Sequence, residues 1–233
     1  MENEFLIVAE KFFSIQGEGQ TTGTPAVFLR LTGCNILCQS ESWICDTIAV
    51  WKKGVKTKFK EVLEGELFDK LELGSHLVIT GGEPLLHQKK VIEFLQWFEK
   101  KYNWLPVLEF ETNGTIQPNS YLVEKVSYWN VSPKLENSGE KHEKRFKPEV
   151  IKFFNSLPNS IFKFVISKVK DFEDLERSYL SFVNSKKVYL MPAGENRIQL
   201  NKTRKVAIGL CKKYAFHYSE RLHIVIWNKK TGV

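Results

Sequence analysis

The chain has 233 residues, 42% of them hydrophobic and 17 of them phenylalanine, which is enough to fill a substantial core and argues against a disordered chain. Its opening, MENEFLIVAEKFF, has acidic residues where a secretory signal needs basic ones, and no window reaches a membrane-spanning length, so a cytoplasmic location and no membrane partner are expected. The net charge of +7 comes from scattered lysines with mild runs only at 52–60 and 141–147; this reads as a solvated basic surface, suited to an anionic substrate or an acidic electron donor, with no nucleic-acid partner expected.

In chain order, apolar and β-branched runs alternate with helical periods. The run AVFLRL (26–31) reads as a strand, followed by a helical period near 60–70 and the strand HLVIT (76–80). The clearest helix lies in HQKKVIEFLQWFEKKY, where Val91, Leu95 and Phe98 share one face. Strands PVLEFET (106–112), WNVS (129–132), IFKFVI (161–166), KVYLM (187–191) and RLHIVIW (221–227) follow, separated by helices near 119–126, 148–157, 171–184 and 201–214. Such alternation implies an α/β fold with a mostly parallel sheet, and near-continuous apolar strands imply a sheet covered on both faces or curled into a barrel. No linker or repeat interrupts it, so residues 1–233 are read as one domain. Ligands of such folds sit beyond the carboxyl ends of the strands.

Cysteines are the least random feature. Three of the four, Cys34, Cys38 and Cys45, fall in one loop just after AVFLRL, while Cys211 sits in a helical pattern as a small core residue. Three thiolates can hold three irons of a [4Fe-4S] cluster and leave the fourth open to a small molecule. On spacing alone, a structural zinc site or three unrelated thiols stay open, although zinc would want a fourth ligand and no histidine lies in the loop. At the end of HLVIT, the turn ITGGEPLL bares backbone that can approach a ligand closely. Alone, it is also an ordinary strand-to-helix turn.

A three-cysteine loop after the first barrel strand and a GGEP turn after the second resemble the radical S-adenosylmethionine superfamily. Within it, FSIQGEG (13–19), VFLRLTGCN (27–35), CDT (45–47), ITGGEPLL (79–86), ETNGT (111–115), VSPKLENSG (131–139), FKFVIS (162–167) and LMPAG (190–194) resemble, in order, the 7-carboxy-7-deazaguanine synthase family. The resemblance spans most of the chain. It departs from the usual superfamily spacing, Cys-x3-Cys-x2-Cys, because six residues, QSESWI, separate Cys38 from Cys45; these are read as an insertion that keeps the thiolates convergent.

The resemblance implies a partial (β/α)6-type barrel, with the cluster loop at 33–47. It implies that Cys34, Cys38 and Cys45 ligate the cluster, and that Gly82, Ser132, Pro133, Lys134, Met191, Pro192, Ala193 and Gly194 bind S-adenosylmethionine. Ile15, Gln16, Gly17, Arg30, Thr80 and the terminal Val233 would bind the substrate, 6-carboxytetrahydropterin, and the Thr47 hydroxyl would ligate Mg2+. An amide and a bared backbone match a pterin edge, and an arginine matches its carboxylate. Glu111 is open between a ligand acceptor and a buried ion pair, and the roles of Glu18 and Asp46 are open; His87, His142, His217 and His223 show no ligand spacing.

The implied activity splits S-adenosylmethionine with one electron, takes a hydrogen atom from the pterin, contracts its ring and releases ammonia. A flavodoxin- or ferredoxin-like electron donor and a homodimer are further implications. Two rivals are a radical activase acting on a protein glycine, against which the QGEG and SPK motifs speak, and a zinc-stabilised nucleic-acid-binding module suggested by the cysteines and the basic balance.

Overall fold

The computed structural model describes residues 4–41, 44, 45, 47–230 and 232. Its strands are β1 (Phe5–Ile15), β2 (Pro25–Leu31), β3 (Val55–Lys58), β4 (His76–Gly81), β5 (Leu108–Thr112), β6 (Tyr128–Val131), β7 (Ser160–Ile166), β8 (Val188–Pro192) and β9 (His217–Tyr218). They form one sheet in the order β3-β1-β2-β4-β5-β6-β7-β8-β9. β1 runs antiparallel to both of its neighbours, and from β2 to β9 all pairings are parallel. The six longer parallel strands are those of the expected partial barrel, and the linear order, with β3 and β9 at its ends, leaves it open.

The described residues also form ten α-helices, with short 3-10 turns between some elements: α1 (Ile48–Trp51), α2 (Phe59–Val62), α3 (Glu66–Glu72), α4 (Gln88–Tyr102), α5 (Ser120–Lys125), α6 (His142–Arg145), α7 (Pro148–Ser156), α8 (Asp171–Ser178), α9 (Arg197–Tyr214) and α10 (Leu222–Trp227). Val91, Phe94, Leu95 and Phe98 of α4 recur at helical spacing and are all buried, so this face supplies the crossover between β4 and β5 with a core contact. α9 starts where Asn196 accepts from the N–H groups of Ile198 and Gln199, a side-chain cap that satisfies two otherwise unpaired donors. Phe94, Phe98, Phe110, Trp129, Phe154, Phe162 and Phe164 are fully buried between helices and sheet. None of these helices is long and apolar enough to cross a membrane.

The short elements β3, β9, α1 and α6 were not predicted, and two longer segments also differ from the sequence expectation. RLHIVIW was expected as a strand, but Leu222–Trp227 forms α10. A short apolar run fits either period, and the place beside β8 is taken by β9. The long β1 was not among the predicted strands, because Glu10, Lys11 and Ser14 break the apolar alternation along its outer half.

Candidate active site

The loop after β2 carries the three cysteines at the carboxyl end of the parallel strands. Within it, Gln39 and Ile44 form an antiparallel bridge and the Cys45 N–H donates to the Cys38 carbonyl at 3.0 Å. These contacts hold Cys45 beside Cys38. Ser40 Oγ donates to the Asn137 carbonyl at 2.6 Å, and the Leu37 N–H donates to Glu140 at 2.9 Å, tying the loop to the segment after β6. Asn113, in the ETNGT turn, donates to Asn35 Oδ1 at 2.9 Å and lies 3.9 Å from Cys34 Sγ.

The thiol environment fits a cationic cluster. Burial pushes the Cys38 thiol up to about 12 and also raises that of Cys34; Lys134 opposes the rise, while neighbouring cysteines add to it. Three thiolates in one partly apolar pocket repel one another unless positive charge lies among them, which an iron core supplies. Among the described residues, no three His, Cys, Asp or Glu side chains are grouped as ligands of a single metal ion. A cubane places each thiolate on a different iron and needs no such closure.

Beside the cysteines, the GGEP turn closes against the loop. A Cβ on Gly82 would run into the Gly33 carbonyl and Cys34 Cβ, so only glycine lets the two segments pack. Glu83, fully buried, accepts from the Leu85 N–H (3.0 Å), the Asn113 N–H (2.7 Å) and Thr112 Oγ1 (2.9 Å), joining the ends of β4 and β5. Burial raises its pKa to about 7 against those hydrogen bonds. Lys134 folds back, its ammonium donating to the Ser132 carbonyl and hydroxyl at 2.9 Å each.

Deeper in the barrel lies a set of charges. Lys163, 1% exposed in the middle of apolar β7, pairs with Glu111 at 2.6 Å and Glu18 at 3.0 Å. Arg221 pairs with the other Glu18 oxygen at 3.1 Å. Burial would raise the Glu18 pKa, but Lys163, Arg221 and His223 outweigh it and hold this carboxyl well below the usual range. For Glu111 burial dominates over Lys163 and lifts the pKa to about 7. Lys163 itself stays protonated, its pKa raised by the two carboxylates despite burial. Arg30, on β2, is held through Nε by Glu10 of β1 at 2.6 Å.

These groups enclose one cavity of about 280 Å³. Of the residues predicted from sequence, Ile15, Gln16, Gly17, Arg30, Cys34, Cys38, Cys45, Thr47, Thr80, Gly82, Ser132, Lys134, Met191 and Gly194 line it. Pro133, Pro192 and Ala193 do not line it; they are buried beside it, within the segments that present Ser132, Met191 and Gly194. Val233 and Asp46 lie outside the described residues. Sequence reasoning missed Lys163, Arg221 and His223 as lining groups. His223 packs so closely on Gly17 that a Cβ there would strike its ring. The available signal for Lys163 was a charge inside the apolar run IFKFVI, which in a barrel strand must face inward.

Residues 15–149 match a family described as a 4Fe-4S single cluster domain. The chain is 36% identical to the 7-carboxy-7-deazaguanine synthase of Pyrobaculum aerophilum over 97% of its own length and 96% of the relative's. It belongs to the 7-carboxy-7-deazaguanine synthase family. The synthase of Clostridium acetobutylicum is 30% identical over 97% of this chain and 98% of the relative. A crystal structure of QueE from Escherichia coli has the same fold, with a TM-score of 0.69 and 23% identity over 94% of this chain and 95% of that one. A family of radical S-adenosylmethionine enzymes with an iron-sulfur cluster matches the cysteine loop, and neither the glycine activase nor the zinc module accounts for likeness over the whole chain.

Proposed function

We infer that this chain converts 6-carboxy-5,6,7,8-tetrahydropterin into 7-carboxy-7-deazaguanine with loss of ammonia, working as one catalytic domain. The observation that carries the reading is a single chamber lined by three thiols, by Arg30 and by the Glu18 and Glu111 carboxylates. Cys34, Cys38 and Cys45 would hold the cluster. Gly82, Ser132, Lys134, Met191 and Gly194 would hold S-adenosylmethionine, the bare Gly82 backbone admitting its polar end and Pro133, Pro192 and Ala193 fixing the turns behind. When bound, the cluster and S-adenosylmethionine supply one-electron chemistry that removes a hydrogen atom from the substrate and later returns one.

The chain's own residues bind, orient and exclude water. A tetrahydropterin presents its 2-amino group and N3–H as neighbouring donors, and the Glu18 and Glu111 carboxylates are acceptors placed to receive such an edge. Arg30 suits the 6-carboxylate: Glu10 occupies Nε, and the guanidinium offers further donors on its terminal nitrogens. Ile15, Gly17 and Thr80 would form the remaining wall, and Val233 would close it. Thr47 offers one neutral oxygen, now 3.2 Å from Cys45 Sγ, which fits a Mg2+ site whose other ligands are water and substrate oxygens. A flavodoxin- or ferredoxin-like protein would deliver the electron, and a homodimer would be the working form.

Anaerobic incubation of the reconstituted protein with the pterin, S-adenosylmethionine, Mg2+ and reductant tests the reading. The deazaguanine acid should accumulate with consumption of pterin. A brown, cluster-loaded protein that leaves the pterin unchanged would overturn it.

A further inference from the structure

Under the chamber lies a carboxylate that does not line it. Glu109, two residues before Glu111 on β5, is fully buried in the barrel interior. One of its oxygens accepts from Thr21 Oγ1 at 2.8 Å, Gln16 Nε2 at 3.2 Å and Asn130 Nδ2 at 3.3 Å. The other meets His76 Nδ1. His76 begins β4, at the amino end of the parallel strands, and stacks on Tyr128 with ring centroids 5.7 Å apart. Its side chain is 14% exposed, so the far mouth of the barrel reaches Glu109 through this ring.

The link upward runs through Gln16. Its amide nitrogen donates to both carboxylates, Glu109 at 3.2 Å and Glu111 at 3.3 Å, while its oxygen accepts from the Glu18 N–H at 3.3 Å. Turned over, the amide would set its oxygen against two carboxylates and its NH2 against a backbone donor. Glu111 alone would enforce the orientation poorly, because its carboxyl titrates near pH 7 and, once protonated, tolerates either face of the amide. Glu109, surrounded by donors from four residues, is the more constant partner.

We propose that Glu109 is a positioning residue for the reaction: anchored by His76, Thr21 and Asn130, it fixes the Gln16 amide in the one orientation that leaves Glu18 and Glu111 as an acceptor wall against the substrate. The inference rests on the pterin reading above and adds a second layer to it. Two carboxylates turned to the substrate select a donor edge, so substrate affinity depends on a residue that substrate never touches. Replacing Glu109 with glutamine lets the new amide present either a donor or an acceptor to Gln16, and Glu111 Oε1 loses a fixed partner.

The test uses the reconstituted holoenzyme at about pH 8.5, where Glu111 is ionised and any change in its titration drops out. Glu109→Gln should raise KM for the pterin about tenfold, with a smaller change in kcat and with iron content and S-adenosylmethionine affinity unchanged. In a Gln16→Ala background, the same substitution should change KM less than about twofold, because the residue through which it acts is gone. An unchanged KM in the single variant, or an undiminished effect in the double, overturns the proposal; a general loss of folding would lower kcat and iron content together instead. Should Glu109→Gln fail to fold, His76→Leu carries the test from the far mouth. It should raise KM in the same sense, and His76→Gln, which keeps a donor, should restore most of the affinity; equal KM values in these two variants overturn the anchor. A wild-type protein that does not turn over the pterin overturns the functional reading itself, a separate outcome from unaffected variants of an active enzyme.

Discussion

The rim and the interior of the barrel solve opposite electrostatic problems. At the rim, three thiols share a pocket in which burial and mutual repulsion oppose ionisation of Cys34 and Cys38, and Lys134 is the nearby cation that opposes the rise. In the interior, Glu18 and Glu111 already have Lys163 and Arg221 between and beside them. The rim therefore becomes electrostatically complete only with its cofactor, whereas the interior is complete in the chain alone. Changes at the rim should cost the cofactor and leave the fold, and changes in the interior should cost the fold or the substrate and leave the cofactor.

The largest effect tests the first half of that contrast. Cys34→Ala, Cys38→Ala or Cys45→Ala should each reduce turnover to background and strip iron and sulfide from the protein. The melting temperature of the cluster-free protein should stay within a few degrees of the wild-type apoprotein, because no described thiol at the rim holds secondary structure through its side chain. Full turnover in any one of them removes that cysteine as a ligand, and collapse of the fold would place the rim on the same footing as the interior.

Lys163→Met comes next and probes the second half. It leaves two partly buried carboxylates facing each other, and removing the buried partner of an ion pair costs up to about 3–5 kcal/mol. For a chain of this size that is a fall in melting temperature of roughly 6–20 °C, read by thermal denaturation. Adding Glu111→Gln should return part of the loss, since one uncompensated charge is then removed. A melting temperature within about a degree of wild type would show that water reaches these groups and that the interior is not self-contained.

The two regions also differ in how plainly the sequence announces them. The rim is contiguous: Cys34, Cys38 and Cys45 share one loop, and Gly82 belongs to a turn that packs on that loop where only glycine fits. Its one ambiguity, the QSESWI insertion, needed three dimensions, because only the pairing of Gln39 with Ile44 and the bond from Cys45 to Cys38 show that the third cysteine stays beside the second. The interior is assembled from Glu18 in a turn, Glu111 on β5, Lys163 on β7 and Arg221 before α10, whose shared position no local pattern encodes. Lys163 and Glu109 do carry a signal, a charge inside an apolar strand, but which charges meet depends on register across β5, β6 and β7. The alternating strands and helices were readable from period alone. α10 was not, since its six residues are too few to separate one period from the other, and its place over the chamber is set by contacts such as Leu222 N–H to the Gly17 carbonyl at 2.9 Å.

Arg30→Ala sharpens the boundary between the regions, because Arg30 lies on the strand that leads into the cysteine loop yet is proposed above to bind the substrate. Losing a charge-assisted pair with the substrate carboxylate costs about 1.5–3 kcal/mol, or roughly ten- to 150-fold in KM. Iron content should not change. Loss of iron together with affinity would assign Arg30 to the rim.

The smallest effect is one of pH, and it works in opposite directions on binding and on stability. The Glu111 carboxyl, held up to about 7 by burial against the pull of Lys163, keeps its proton over a range where the same group in the unfolded chain has lost it. Between the ordinary carboxylate range and about 7, the folded protein then binds more protons than the unfolded one, so this group's contribution to stability declines as pH rises. Substrate affinity should do the reverse, because only the ionised carboxylate accepts both donors of the pterin edge. From pH 8 down to 6.5, the ionised fraction of such a group falls about fourfold, and KM for the pterin should rise by about that factor. Glu111→Gln should flatten the profile while leaving cluster content unchanged. A pH profile that keeps its slope in that variant would move the titrating group elsewhere, with Glu83, raised to about 7 beside the cysteine loop, as the next carboxyl to replace. The titration would then belong to the rim, and the separation between a region completed by cofactor and one completed by the chain would lose its pH signature.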